Sequence, residues 1–269
     1  MIRGFLSAPR GDLLHSLTVQ GRVIRALMLR QALSRFGHDS LGIFWIFAEP
    51  LLLSGAVMLM WTLSGLHKGH GVGIIPFVLA SYSMLTLWRH MCSASVSALS
   101  SASSLLYHRN VRLLDILIAR AALDSFSGMA SFVVAYLILN LFGFIRAMED
   151  PLVMAGAWLL MTWFGWSFGL VVAAVTELME PAAHLVQPFL YVTLPITGAF
   201  YMVAWLPASA QQVVMWSPLV HMFEMFRGGL FGAHLAADWS IAYVAAWCFG
   251  FMAIGLPLLR VAQLRFSAH

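Results

Sequence analysis

The run PLVMAGAWLLMTWFGWSFGLVVAAVT, residues 151–176, contains no Asp, Glu, Lys or Arg from end to end. A helix needs about 20 mostly apolar residues to cross roughly 30 Å of hydrocarbon, and this run exceeds that length. Five more uncharged stretches flank it, at 50–66, 69–88, 125–145, 181–223 and 239–259. Each is near crossing length or can borrow apolar neighbours such as residues 43–48. Hydrophobic residues make up 61% of the chain and charged residues only 10%, with a mean hydropathy of +0.86. Such values exclude a soluble globular domain. The pattern specifies an all-α integral membrane protein.

Basic residues then set the topology. Every one is Arg except Lys68. With six transmembrane helices, Arg3, Arg10, Arg22, Arg25, Arg30, Arg35, Arg109, Arg112, Arg120, Arg260 and Arg265 share one side, against Lys68, Arg146 and Arg227 on the other. Arg89 lies within or at the end of span two. Because basic loop residues stay in the cytoplasm, both termini are expected inside. The net charge of +4 reads as topology and gives no nucleic-acid footprint. No cleavable signal is expected either, since Arg3, Arg10 and Asp12 interrupt the first 20 residues before an apolar core can form.

Residues 16–38 read as an N-terminal interfacial helix, with Arg22 and Arg25 on one face and Arg30 and Arg35 elsewhere. Within 181–238, residues 183–204 form the expected fifth span, kinked by Pro188 and Pro195. The remainder, about 205–238, is broken by Pro207, Pro218 and Gly228-Gly229 into a re-entrant external helical hairpin between spans five and six. The competing reading is a pair of external surface helices with no place in a pathway.

The main soluble-enzyme signatures are missing. The chain has no G-x-x-x-x-G-K-[ST] phosphate loop, H-E-x-x-H or C-x-x-C, and its one G-x-S-x-G match, Gly165 to Gly169, lies in the middle of an uncharged run of crossing length and not at a strand-to-helix turn. His67 and His70 have metal-ligand spacing but sit in a Gly-rich turn without a third ligand, which reads as a solvated loop. Cys92 and Cys248 lie in or beside apolar stretches and suit packing better than a disulfide framework. Ser93, Ser97 and Ser101 recur every fourth residue, as do Ala94, Ala98 and Ala102, and small residues at that period let helices approach closely, like Gly165 and Gly169 in span four. The same serines could instead give a polar lining. Glu49 and Arg89 each have two readings, one at the headgroup level and one inside a crossing. The aromatics, among them Trp45, Trp61, Tyr191 and Tyr201, serve either as an interfacial belt or as stacking faces for sugar rings.

Three segments resemble the membrane subunit of the ABC exporters of capsular polysaccharide, the KpsM-type permeases of the ABC-2 class. They are Leu41-Gly42-Ile43-Phe44-Trp45 through Glu49-Pro50; His108-Arg109-Asn110-Val111-Arg112-Leu113-Leu114-Asp115 ending in Ala119-Arg120; and Pro218-Leu219-Val220-His221 with Glu224 and Arg227-Gly228. Ser217 stands where many relatives have Asn. The resemblance divides the chain into a cytoplasmic N-terminus, 1–40, and an ABC-2 type transmembrane domain, 41–269.

It implies a homodimer in the bacterial inner membrane with one channel at its interface, translocating a lipid-linked acidic polysaccharide. A separate KpsT-like ATPase dimer would bind the ATP and Mg, leaving this chain without a cofactor or catalytic residue, and a KpsE-like adaptor would meet it in the periplasm. A coupling segment at about 105–120 places Arg109, Arg112 and Asp115 against the ATPase. Trp45, Glu49, Trp61, Arg89, Tyr191 and Tyr201 become candidates for the substrate pathway. Pro218, His221, Glu224 and Arg227 build the external hairpin, the last three sharing a helical face. The competing functions are an ABC-2 permease for O-antigen, teichoic acid or another lipid-linked polymer, and, from a different class, a stand-alone channel or membrane-embedded enzyme.

Overall fold

The computed structural model describes residues 10–36, 72–98, 113–232 and 239–266, with isolated positions between 52 and 60. Trp45, Glu49, Trp61, Arg109 and Arg112, and with them nearly all of the expected first span, lie outside the described residues. The described residues form eight α-helices and no strand: α1 (Arg10–Phe36), α2 (Ile74–Val96), α3 (Leu113–Leu141), α4 (Pro151–Leu178), α5 (Glu180–Val192), α6 (Ala208–Val214), α7 (Pro218–Phe231) and α8 (Ile241–Phe266). Helices α3, α4 and α8 are long and apolar enough to cross a membrane. Helix α2, with 23 residues, reaches about 34 Å at 1.5 Å per residue.

Helix α4 is the hub, packing against α2, α3, α5, α7 and α8. Its start is set locally. Asp150 caps it by accepting from the backbone N–H groups of Leu152 and Val153 at 3.0 and 3.1 Å, and Pro151 occupies the first turn, where no N–H is needed. Gly165 and Gly169 then present bare backbone to α2. A Cβ at Gly165 would stand 2.5 Å from Met91 Sδ, and one at Gly169 2.5 Å from Ser95 Oγ, so the close approach of the two helices depends on both glycines. On the α3 side, Ser125 Oγ meets Thr162 Oγ1 at 2.7 Å, and the Trp158 indole donates to the Ser125 carbonyl at 3.2 Å. Phe132, Trp158 and Phe226 close the centre, with Phe132 edge-on to Phe226 at 5.2 Å.

Two elements depart from the sequence expectation. The uncharged run predicts a third crossing at 125–145, but α3 begins at Leu113 and takes in Asp115, Arg120 and Asp124. Charge marks a loop only where it meets water, and Asp115 and Asp124 are both buried against neighbouring helices. The fifth crossing is predicted as one kinked helix over 183–204, but α5 ends at Val192. Short 3₁₀ turns follow at Leu194–Ile196 and Val203–Trp205, and between them Gly198 has φ +83°. That backbone conformation favours glycine and turns the chain back toward α7.

Helix α1 lies along the start of α3. Leu27 is buried, with Val23, Ile24 and Met28 packed against Leu113, Ile116, Leu117, Leu170, Ala173 and Leu259, while Arg22, Arg25 and Arg30 stay exposed.

Candidate functional site

Two arginines at helix interiors organise the polar chemistry. The first, Arg227 on α7, is fully buried. Its Nη1 donates to the Tyr201 carbonyl at 2.6 Å and to Glu224 Oε1 at 3.2 Å; its Nη2 donates to the carbonyls of Gly198 and Ala199 at 2.7 and 3.0 Å. Ser81 Oγ on α2 accepts from both Nη2 at 2.7 Å and Nε at 3.2 Å. The faces of the guanidinium are covered by the Phe77 and Phe223 rings, at 4.6 and 5.5 Å. Glu224 Oε1 also accepts the Val203 N–H at 3.2 Å. A buried ion costs several kcal/mol unless its hydrogen bonds are met, and here the planar fork finds an acceptor for each nitrogen. The cluster binds residues 198–203, α7 and α2 into one unit.

His221, one turn before Glu224, ties the neighbouring segments. The Ser240 N–H donates to its Nδ1 at 3.2 Å, which leaves the proton on Nε2 for donation to the Met215 carbonyl at 2.9 Å. The Tyr243 hydroxyl donates to the Trp216 carbonyl at 2.8 Å, and its ring lies 5.1 Å from the imidazole. The turn between α6 and α7 is thereby fastened to the start of α8. Gly229 seats α7 on α4: the Asp150 N–H donates to its carbonyl at 2.8 Å, and a Cβ there would fall 2.7 Å from the Met154 nitrogen.

The second arginine, Arg89 on α2, is only half-buried. Its Cζ lies 4.5 Å from the centroid of the Tyr191 ring on α5. One turn further along α2, Ser93 Oγ accepts from Gln187 Nε2 at 2.8 Å. The two contacts form antiparallel rungs between α2 and α5, each helix supplying residues four apart on one face.

At the other end of the molecule, Gln20 Nε2 of α1 donates to Asp115 Oδ1 at 2.8 Å. Asp115 is 3% exposed, so this carboxylate faces the chain's own first helix. Among the described residues no group of three or more His, Cys, Asp or Glu side chains is placed to hold a metal. The contacts described hold helices and loops of the chain together.

Residues 22–231 match the family described as ABC-2 type transporter. This chain belongs to the ABC-2 transporter family. It is 35% identical over 245 residues to the capsule polysaccharide export inner-membrane protein BexB of Haemophilus influenzae, covering 91% of this chain and 92% of the relative. It is 37% identical over 255 residues to the capsule polysaccharide export inner-membrane protein CtrC of Neisseria meningitidis serogroup A, covering 94% of each. A more distant relative, the polysialic acid transport protein KpsM of Escherichia coli, is 25% identical over 252 residues, covering 91% of this chain and 95% of the relative.

Within this ABC-2 chain the residues nominated from sequence separate into groups. Glu224 and Arg227 meet as an ion pair at 3.2 Å, whereas the partners of His221 are backbone groups on either side of it. Pro218 occupies the first turn of α7. Tyr201 offers its carbonyl to Arg227, and its hydroxyl is buried without a hydrogen-bond partner among the described residues. Arg89 and Tyr191 touch each other. Sequence reasoning missed Ser81, Gln20 and Gln187, and it singled out Ser93 only as one of a periodic serine series. Of the three missed, only Gln187 carried a signal, as an amide deep inside an uncharged run.

Proposed function

We propose that this chain is the transmembrane subunit of an ATP-driven ABC exporter that carries lipid-linked capsular polysaccharide across a bacterial inner membrane. The observation that supports it is the alignment with capsule export proteins over more than nine-tenths of the chain. Two copies would enclose one channel, with six crossings per copy, both termini in the cytoplasm and the α6–α7 hairpin dipping into the membrane from outside. The guanidinium-rich segments would then face the ATPase, as the positive-inside bias requires. Hydrolysis of ATP with Mg falls to that KpsT-like partner, because this chain contains a single lysine and no phosphate loop.

In this reading Arg109 and Arg112 contact the ATPase, and Asp115 acts with them by holding α1 through Gln20. The pathway draws on Trp45, Glu49, Trp61, Arg89, Tyr191 and Tyr201, whose aromatic faces suit the C–H side of a pyranose without demanding one orientation. Repeated weak contacts suit a polymer that must keep sliding. The hairpin, pinned by Arg227 and His221, shapes the outer mouth and meets a KpsE-like periplasmic adaptor.

Affinity purification of the tagged chain from its own cells in mild detergent tests the assembly. The expected result is a stoichiometric ATPase subunit, identified by mass spectrometry, with hydrolysis stimulated by acidic polysaccharide. A chain that purifies without any ATPase and conducts solutes by itself in liposomes would overturn the reading.

A further inference from the structure

Arg89 lies fifteen residues into α2 and seven before its end at Val96, about 10 Å from that end at 1.5 Å per residue. If α2 crosses the bilayer, Arg89 lies within or at the end of the crossing, and inside the hydrocarbon an arginine is costly and as a rule meets a carboxylate, a backbone carbonyl or a wet cavity. Among the described residues, Arg89 meets the Tyr191 ring and no carboxylate. The Ser93–Gln187 rung is the next contact toward the Val96 end of the helix.

Helix α5 continues the pattern. Glu180, His184, Gln187 and Tyr191 follow at spacings of four, three and four, the spacing of one helical face, and all four are exposed. Only Leu190 of α5 is buried. A polar stripe therefore climbs α5 to Arg89, which among the described residues meets only the Tyr191 ring. Glu180, eleven residues and about 16 Å below Tyr191 along the helix axis, is too far away to neutralise Arg89. Tyr191, 57% exposed, covers one side of the guanidinium and leaves N–H groups for another acceptor.

We propose that Arg89, with Gln187 and Tyr191 beside it, forms a binding step for an anionic group of the transported glycan, a sugar carboxylate or the phosphate of its lipid end. The step rests on the exporter reading above and adds to it a specific charge contact. The anion takes charge-assisted hydrogen bonds from the guanidinium, Gln187 Nε2 leaves Ser93 to donate to a sugar oxygen, and the ring of Tyr191 stacks on the sugar. Because the guanidinium keeps its aromatic neighbour when the anion departs, the site holds each unit weakly enough to release it.

The test uses the full chain in nanodiscs, probed with a galacturonic acid hexamer and its carboxyl-reduced counterpart, and with phosphatidylglycerol against phosphatidylcholine by native mass spectrometry. Arg89→Gln is expected to weaken anion binding about tenfold, the scale of a lost hydrogen bond to a charged group, with the melting temperature of the parent. Arg89→Lys and Tyr191→Phe retain most of the binding. A deficit confined to the hexamer identifies the carboxylate as the ligand; one confined to phosphatidylglycerol identifies the phosphate. The proposal is overturned if the parent binds neither anion, if Arg89→Gln binds both like the parent, or if Lys and Gln both lower binding together with the melting temperature, which marks a purely structural contact. A parent that exports polymer while Arg89→Gln exports at the same rate removes the site but leaves the exporter; a parent that exports nothing removes the exporter.

Discussion

Arg227 and Arg89 carry the same side chain on helices of the same bundle, yet their surroundings are opposites. Arg227 is sealed between Phe77 and Phe223 with an acceptor for each nitrogen. Arg89 is half-open, resting on one aromatic ring. A satisfied buried cation has nothing left to offer a ligand, so it fixes geometry. A partly satisfied one keeps donors in reserve. Charge inside a membrane protein must therefore be read by its remaining hydrogen-bonding capacity, and burial alone does not reveal that.

The largest expected effect breaks the sealed site. Arg227→Ala removes the cation facing buried Glu224 and the donors to three backbone carbonyls, and should cost about 3–5 kcal/mol, seen as loss of the monodisperse peak in detergent. Arg227→Lys should not restore it, since one ammonium cannot reach the span of acceptors that the fork serves. Arg89→Ala, by contrast, should cost no more than about 1 kcal/mol of stability, the scale of a cation–π contact. Equal destabilisation by the two changes would erase the distinction.

Next in size is overpacking at the helix contact that sets α2 in place. Gly169→Leu drives a side chain into Ser95 and should cost about 1–3 kcal/mol, read as a lowered melting temperature. The same change at Gly250, with open space around its Cβ position, should be silent.

The smallest effect on the fold as a whole concerns the α1 end, where the loss is local. Gln20→Ala removes one hydrogen bond to a buried carboxylate, worth about 1.5–3 kcal/mol locally when the acceptor is charged. It should raise trypsin cleavage at Arg22 and Arg25 while leaving the rest of the chain folded. Unchanged cleavage would show that the apolar contacts of Leu27 hold α1 without Asp115.

Much of this architecture is legible in the amino-acid sequence. The uncharged run at 151–176 matches α4, Pro151–Leu178, because Asp150 and Pro151 start a helix by local chemistry. The run at 239–259 likewise falls within or beside α8. The third helix reads too short in sequence because Asp115, Arg120 and Asp124 look like loop residues until their neighbours are known. The fifth reads too long because nothing in its composition reveals that the helix gives way to short 3₁₀ turns after Val192. The site follows the same division. Glu224 and Arg227, three apart on a helix, pair as spacing suggests. The carbonyls of residues 198, 199 and 201 that complete the arginine's shell belong to the backbone, which side-chain patterns do not register. The Ser93–Gln187 rung joins residues 94 positions apart, a distance at which periodicity carries no information.

The most direct measurement places the chain and its ATPase partner in inside-out membrane vesicles, supplies lipid-linked acidic polysaccharide outside, and follows polymer protected in the lumen. The account predicts accumulation that requires ATP, fails with Arg89→Gln and is kept by Arg89→Lys. Polymer entering equally with and without ATP, or none entering although the two subunits are assembled, would contradict it.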